Sequence, residues 1–401
     1  MGKKTKIVIL GAGYGGIRAA QRLSEREDFE TVLIDQHPYH YLQTEVYDFI
    51  ANKIKISDVA IDLFALCAGF GDNVSFLKDF VIDIDFESKK VILLNKKSVS
   101  YDFLIIALGA KTAFMDEIEG LKEYSRDIKD LQNALIFKHK FEDELFDRIE
   151  TEGSLCTRKF NIVVGGAGLS GVEIAAEMAC YAKEFYKSHK FVCENLNIYL
   201  VSATPTILPG LPEKVVKLAQ KRLNKLGIKT IFNAKITKVN KKYVRLSTDA
   251  ALEHDFLIFT GGVRGVDLVE KLDVEKNRKL QIVTDEYLRV AGKEVEFAIG
   301  DIAQIKDTEG NIAPQTADIA EQSAELAVHN IICMVDNKEM KKSDLKSRGM
   351  LIALGGKYAI GRSGNFVFSG FSAYIAKQGI FKIYKLPLLK KADEGFSKIS
   401  K

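Results

Sequence analysis

Two separate stretches of the chain show the same order of apolar and polar positions. In each, a short β-branched run, Ile7–Leu10 or Ile162–Val164, leads into closely spaced glycines and then into an alanine-rich segment. A short apolar run bounded by glycines is typical of a buried strand in a parallel sheet. We expect helices to follow over Ile17–Arg26 and Val172–Tyr186. The pattern predicts two strand–loop–helix units.

The glycines of both loops follow the spacing Gly-x-Gly-x-x-Gly. They are Gly11, Gly13 and Gly16 in the first loop and Gly166, Gly168 and Gly171 in the second. In this motif the first glycine permits a tight turn, the second lets a pyrophosphate approach the backbone, and the third lets the helix pack on the strand. The helix N-terminus presents free N–H groups to the phosphates. Each loop is therefore a candidate dinucleotide-binding site.

A second repeated segment supports a duplication. Tyr101–Ala110 recurs as His254–Val263 after 153 residues, close to the 155-residue offset between the two glycine loops. Two independent repeats at nearly one offset indicate two Rossmann-type domains. Ala107 and Gly109 in the first copy, and Gly262 in the second, are candidate cofactor contacts.

The two copies differ at the end of their second strand. In the first copy this strand ends in Asp35, 19 residues after Gly16, where a carboxylate can bind the ribose hydroxyls of an adenosine. In the second copy it ends in Ser202, which offers an uncharged hydrogen bond and does not repel a 2′-phosphate. The second site is expected to take NADH or NADPH, and the sequence does not choose between them.

A third element lies beyond both copies, where the strand pattern Glu294–Ile299 ends in Gly300 and Asp301. Together with the first glycine loop, Asp35 and Ala107–Gly109, it resembles the flavoproteins with two dinucleotide-binding domains. The resemblance implies that Asp301 binds the ribityl chain of FAD. It also implies an α/β fold of two Rossmann-type domains, the second inserted into the first.

This resemblance sets the expected domain limits. We expect the FAD-binding domain at 1–115 and 290–345, the NAD(P)-binding domain at 116–289, and a C-terminal interface and membrane-associating region at 346–401. A helix predicted to begin after Ala313 and to run toward Ile332 would direct the positive end of its dipole at the flavin.

Within these flavoproteins the chain most resembles the type II NADH:quinone oxidoreductases, over essentially its whole length. The supporting stretches are Tyr39–Tyr47, Gly171–Glu173, Gly261–Gly265, Thr316–Gln322, Arg348–Gly355 and Ser369–Ala373. The resemblance implies that Thr44 contacts the flavin, that Glu173 lies beside nicotinamide and flavin, and that Gln322 lies in the quinone pocket. Lys382 stands where quinone-reducing relatives also carry a lysine. A carboxylate such as Glu173 also favours a helix N-terminus without any catalytic role.

Two positions depart from the pattern of these relatives. The relatives usually carry glutamine where Asp318 stands, beside the quinone, and an acid where Ser202 stands, on the NADH ribose. Because these positions define the electron acceptor and the donor, the identity of both substrates stays open.

The end of the chain is basic. Seven lysines and two acids lie between Lys377 and Lys401, whereas the net charge of the whole chain is only +4. The near-neutral remainder argues against a nucleic-acid partner. Bulky apolar residues between the lysines are typical of a segment that lies on an anionic membrane. The alternative is a helix docked on its own body or on a partner subunit. We expect this helix to end at Pro387, and removal of Ile380–Lys401 to leave the donor reaction intact.

The five cysteines lack the spacing of metal ligands, which predicts reduced thiols in the cytoplasm and no metal site. A disulphide reductase of this superfamily needs a Cys-x4-Cys pair, and Tyr39–Tyr47 contains no cysteine. A sulfide:quinone oxidoreductase needs two cysteines around the flavin. Cys156 only precedes a strand and no cysteine follows Cys333, so this activity is a distant hypothesis.

The sequence thus predicts a peripheral enzyme on the cytoplasmic face of the cell membrane. It would pass a hydride from NAD(P)H to FAD and then two electrons to a membrane quinone. Two alternatives keep the fold and FAD: a reductase of a soluble acceptor, and a redox protein with a degenerate nicotinamide site. Assembly as a homodimer is compatible with each of them.

Overall fold

The computed structural model describes residues 4–152, 158–192 and 195–400. Two parallel sheets form its centre. The first contains, in spatial order, Glu296–Ala298, Phe103–Ile106, Thr5–Leu10, Phe29–Asp35 and Val74–Lys78. The second contains Lys229–Ile231, Leu196–Val201, Phe160–Gly165 and Phe256–Phe259. The predicted α/β fold with parallel sheets is confirmed.

The strands of the first sheet come from two parts of the sequence, one before and one after the segment that forms the second sheet. Glu296–Ala298 pairs with Phe103–Ile106, so the chain leaves the first sheet, builds the second and then returns. This path is the predicted insertion of one Rossmann-type unit into the other, while the limits of each domain stay a prediction. One apolar core contains the first sheet, and two further cores pack against the second sheet.

Helices pack against the sheets, and a long helix forms the C-terminal part of the chain. In chain order they are α1 (Tyr14–Leu23), α2 (Val46–Ile50), α3 (Leu63–Phe70), α4 (Leu121–Tyr124), α5 (Leu131–Glu152), α6 (Leu169–Ser188), α7 (Glu213–Lys225), α8 (Asp267–Lys271), α9 (Ala317–Val335) and α10 (Phe371–Ile399). None of these helices, within the described residues, is long and apolar enough to cross a membrane.

The other strands form small sheets and pairs. Three-stranded antiparallel sheets comprise Val81–Asp85, Lys90–Leu93 and Ser98–Ser100; Ile236–Val239, Tyr243–Leu246 and Ala251–Glu253; and Met350–Ala353, Ala359–Ser363 and Phe366–Gly370. Two-stranded pairs join Ala110–Thr112 to Val263–Gly265, Tyr39–Tyr41 to Ala60–Asp62, and Ile282–Val283 to Ala303–Gln304.

The helices after the two glycine loops begin three residues earlier than expected, because the last glycine of each motif belongs to the first helical turn. A side-chain carbon at Gly16 would lie 1.8 Å from the carbonyl oxygen of Gly11. The same distance separates Gly171 from the carbonyl oxygen of Gly166. Only glycine permits this close approach, which holds each helix against its strand.

The prediction that Pro387 ends the last helix is wrong, since α10 continues to Ile399. Packing outweighs the hydrogen bond that proline removes. Beyond Pro387, Leu388 and Ala392 are buried against the first core. A side-chain carbon at Gly395 would lie 1.8 Å from the carbonyl oxygen of Ala65 on α3. The second half of α10 is therefore part of the fold.

Candidate active site

The first glycine loop offers an open cleft that fits a cofactor with a pyrophosphate. Gly11 has φ +97°, and a side-chain carbon there would lie 2.4 Å from the carbonyl oxygen of Ala107. At Gly13, which precedes α1, no atom of the described residues other than its immediate chain neighbours lies within 4 Å of the same position. Gly109 also has a positive φ, +67°, with open space in front of it. One side of the loop therefore packs tightly on the sheet at Ala107, and the side at Gly13 and Gly109 leaves space for a ligand.

Asp35 ties the second strand to this loop. Its carboxylate accepts hydrogen bonds from the backbone N–H of Ala12 at 2.7 Å and of His37 at 2.8 Å. Burial raises the pKa of Asp35, and these two N–H groups act in the opposite direction. The residue lies at the predicted edge of the cleft, and its contact with a ribose stays a prediction.

A buried chain of hydrogen bonds connects the glycine loop to α10. His40 Nδ1 donates to the carbonyl oxygen of Ala12 at 2.7 Å, and its Nε2 accepts from the Tyr384 hydroxyl at 2.9 Å. Burial lowers the pKa of His40 to about 4, so the ring is neutral and this donor pattern is fixed. Beside it, the hydroxyls of Tyr14 and Thr44 lie 2.6 Å apart. The sequence placed Thr44 near the flavin but gave no signal for Tyr384.

Asp301 lies at the end of the strand that returns to the first sheet. Gly300 before it has φ +67°, and the Gly300 N–H donates to Ser323 on α9 at 3.1 Å. Burial raises the pKa of Asp301, opposed by Lys129, whose Nζ lies 3.8 Å from its carboxylate. Because the adjacent strand leads into Ala107, the structure brings Asp301 to the same edge as the glycine loop.

Glu173 and Lys377 form a buried ion pair where α6 meets α10. The Glu173 side chain is 11% exposed, and its carboxylate accepts a hydrogen bond from the Ala353 N–H at 2.8 Å and lies 3.6 Å from Lys377 Nζ. Burial raises the pKa of Glu173, and Lys377 opposes that shift. Three elements thus converge on one carboxylate, which lies just after the first turn of α6.

The structure does not bring Lys382 to this pair. Five residues along a helix correspond to a rotation of about 140°, so Lys382 and Lys377 lie on different sides of α10. Lys382 is exposed, whereas Lys377 is only 4% exposed. The lysine of this buried pair is therefore Lys377, which the sequence analysis does not single out, and a contact of Lys382 with a quinone stays a prediction.

Further charged groups lie behind this pair. Lys53 Nζ is 3.2 Å from Asp48 and 2.5 Å from Glu177, both buried carboxylates. Burial raises the pKa of Glu177 and of Glu45 to about 7. These residues come from α2, α6 and the adjoining turns, so their proximity is a property of the fold that the sequence spacing did not reveal.

Asp318 and Gln322 lie one turn apart near the start of α9. The Asp318 carboxylate accepts a hydrogen bond from the Arg348 N–H at 2.9 Å. Gln322 Nε2 donates to the Lys346 carbonyl oxygen at 3.1 Å. Both side chains therefore hold the segment that leads into the C-terminal sheet, and their contact with a quinone stays a prediction.

In the second unit, Ser202 is buried and held within its own loop. The residue is 3% exposed, and its hydroxyl contacts the Thr204 hydroxyl at 2.9 Å and donates to the Thr206 carbonyl oxygen at 3.1 Å. Its contact with a ribose stays a prediction. Gly168 and Gly262 have open space beside them, and their contacts with a cofactor stay predictions too.

A family model decides the class of protein. The model of the pyridine nucleotide-disulphide oxidoreductases matches residues 5–324. The chain belongs to this family. Membership confirms the predicted oxidoreductase and its cofactors, FAD and a nicotinamide dinucleotide. The glycine loops with Asp35 and Asp301 would hold them.

Two relatives extend over nearly the whole chain. The NADH dehydrogenase-like protein YutJ of Bacillus subtilis is 28% identical over 95% of this chain and 98% of its own length. The type II NADH:quinone oxidoreductase of Staphylococcus aureus is also 28% identical, over 95% of this chain and 96% of its own. The resemblance deduced from the sequence is thereby confirmed.

Solved structures confirm the fold. NDH2 of Plasmodium falciparum in complex with NADH has a TM-score of 0.83 and 21% identity, and the match covers 98% of this chain and 97% of that one. The sulfide:quinone oxidoreductase of Aquifex aeolicus has a TM-score of 0.81 and 18% identity, with coverages of 96% and 92%. The fold therefore does not separate these activities. Of the cysteines that bear on them, Cys333 is buried in α9 and Cys156 lies outside the described residues.

Proposed function

We propose that this oxidoreductase passes electrons from NADH or NADPH through FAD to a membrane quinone. The observation that most supports this proposal is the buried Glu173–Lys377 pair. It combines a buried carboxylate and a buried ammonium group at the start of the second Rossmann helix, next to α10. Bound FAD supplies the redox chemistry, accepting a hydride and giving up two electrons.

Reduction of a quinone to a quinol takes up two electrons and two protons. Glu173, whose pKa burial raises, is suited to hold a proton near the reacting groups. Lys377 offers a positive charge to a quinone oxygen as negative charge develops on it. The Staphylococcus aureus relative, which is named as a type II NADH:quinone oxidoreductase and matches 95% of this chain, favours this acceptor.

The outer face of α10 supports a location at the membrane surface. Its exposed large apolar side chains are Phe371, Ile375, Ile380, Ile383, Leu386, Phe396 and Ile399. Exposed lysines, among them Lys382 and Lys390, lie between them. An apolar face flanked by lysines is suited to the interface of an anionic bilayer, while the other face of α10 packs on the protein.

Two substitutions on this face test the membrane contact. Replacing Ile383 and Leu386 together by glutamate is expected to weaken binding to anionic vesicles about tenfold or more, because two apolar side chains leave the interface. Both are exposed, at 76% and 57%, so bound FAD and thermal stability should not change. Leu94→Glu, at a 65% exposed position on the first unit, is the matched control and should bind like the wild type.

Cosedimentation with vesicles at low salt measures this effect. Wild-type protein that stays in the supernatant would remove the membrane contact from the proposal and favour the reductase of a soluble acceptor.

A further inference from the structure

Lys129 occupies a fixed position beside the flavin cleft, in the connection between α4 and α5. Its carbonyl oxygen accepts a hydrogen bond from Gln43 Nε2 at 3.3 Å. The preceding carbonyl, of Ile128, accepts one from the Tyr41 hydroxyl, also at 3.3 Å. Both donors belong to the stretch that carries Thr44. The backbone of Lys129 is therefore held against one wall of the cleft.

The ammonium group of Lys129 lies beside Asp301. Nζ lies 3.8 Å from the carboxylate, which is an ion pair longer than a hydrogen bond. The two side chains are 24% and 23% exposed, so neither is sealed in the core. An additional polar group that enters the cleft can approach both.

Burial destabilises the charged form of the Lys129 side chain. Burial lowers the pKa of Lys129, and Asp301 and Asp127 oppose that shift. A partly buried ammonium group whose ion pair with Asp301 spans 3.8 Å can accept a further anionic partner at shorter distance. FAD brings phosphates into this cleft, and its reduced form carries more negative charge than its oxidised form.

We propose that Lys129 is a cofactor-binding residue that contacts FAD together with Asp301 and binds the reduced cofactor more tightly than the oxidised one. The inference rests on the FAD site and is independent of the electron acceptor. The pair Lys129–Asp301 then has two functions: Asp301 orients the cofactor, and Lys129 raises its reduction potential. The motifs that identified Asp301 contain no lysine, so Lys129 is found only from the folded structure.

The test compares FAD affinity and midpoint potential in purified protein, without donor or quinone. Lys129→Met should raise the Kd for oxidised FAD about tenfold, the effect of losing one charge-assisted contact. It should also lower the midpoint potential, by about 30 mV for each tenfold difference in affinity between the two redox forms. Reconstitution followed by flavin fluorescence gives the Kd, and spectroelectrochemical titration gives the potential.

Three further variants test whether the charge of Lys129 is the cause of the change in potential. Lys129→Gln, which keeps a donor without charge, should lower the potential as Lys129→Met does, and it remains informative if methionine prevents folding. Lys129→Arg should restore most of the potential. Lys122→Met, at an exposed lysine of α4, should leave both quantities unchanged.

A variant without the charge that loses thermal stability but keeps the wild-type potential and Kd would overturn the inference, because Lys129 would then only neutralise Asp301. A wild-type protein that binds FAD but does not reduce quinone would contradict the proposed function and leave this inference intact.

Discussion

Replacing Lys377 by methionine is expected to slow the transfer of electrons from reduced flavin to quinone by about 10²-fold or more. General acid–base and electrostatic contributions of single groups are of this order. Lys377 is the cation of the buried Glu173 pair, so its removal leaves the carboxylate without its opposing charge. Reduction of FAD by NADH or NADPH, which does not require a quinone, should change only a few-fold.

The same substitution has a defined effect on pH dependence. Burial already raises the pKa of Glu173 and Lys377 lowers it, so losing Lys377 raises that pKa further. Glu173 then keeps its proton to higher pH, and the inflection in the quinone half-reaction should move to higher pH.

Lys382→Met is the matched control for Lys377→Met, since it removes an exposed lysine from the same helix. With a water-soluble quinone, whose access does not depend on membrane binding, it should retain the wild-type rate and pH profile. Stopped-flow measurement of the two half-reactions separates the effects. Equal quinone rates in Lys377→Met and Lys382→Met would show that the buried lysine does not act on the acceptor.

Removing Ile380–Lys401 is expected to prevent stable folding and FAD retention. The deletion takes away the buried Leu388 and Ala392, and Leu388 alone contributes about 2–5 kcal/mol. Total stabilities are about 5–15 kcal/mol, so this one residue is already a large fraction, and the packing of Gly395 on α3 is lost as well. It also removes Tyr384, which holds His40 against the glycine loop. The sequence alone had predicted a separable tail and an intact donor reaction, and the packing of α10 revises that expectation.

Tyr384→Phe isolates the hydrogen bond from the packing. It should fold, since only the hydroxyl is lost, and it should weaken FAD binding measurably through the loop at Ala12. Thermal unfolding and flavin release of the deletion and of this variant are the measurements. A truncated protein that keeps FAD and the wild-type melting temperature would show that the second half of α10 is not part of the fold.

The sequence predicted those features that local geometry determines. The glycine loops and Asp35 are recognisable because a tight turn, a close helix or a strand end requires these residue types at fixed spacing, whereas Asp301 was identified through the resemblance to known flavoproteins. The two sheets followed from the repeated apolar runs. The first helical turns were missed by three residues, since glycine is a weak helix former that tertiary packing accommodates.

The features that were missed depend on contacts between distant segments. His40 and Tyr384 are 344 residues apart, and Glu173 and Lys377 are 204 apart. The spacing of apolar and polar residues along the chain does not indicate contacts between residues so far apart in the sequence. The prediction that Pro387 ends α10 was wrong because burial against α3 compensates for the hydrogen bond that proline removes. The site assembled by the fold is therefore richer in charge than its motifs indicate.

One double-mixing experiment tests the central proposal most directly. The oxidised protein is first mixed anaerobically with NADH or NADPH, and the reduced enzyme is then mixed with vesicles that contain quinone. The proposal predicts that flavin absorbance near 450 nm is lost in the first step and returns rapidly in the second, with quinol formed in equal amount. Vesicles without quinone should leave the flavin reduced. Flavin that is reduced by the donor but stays bleached in the presence of quinone would contradict the proposal.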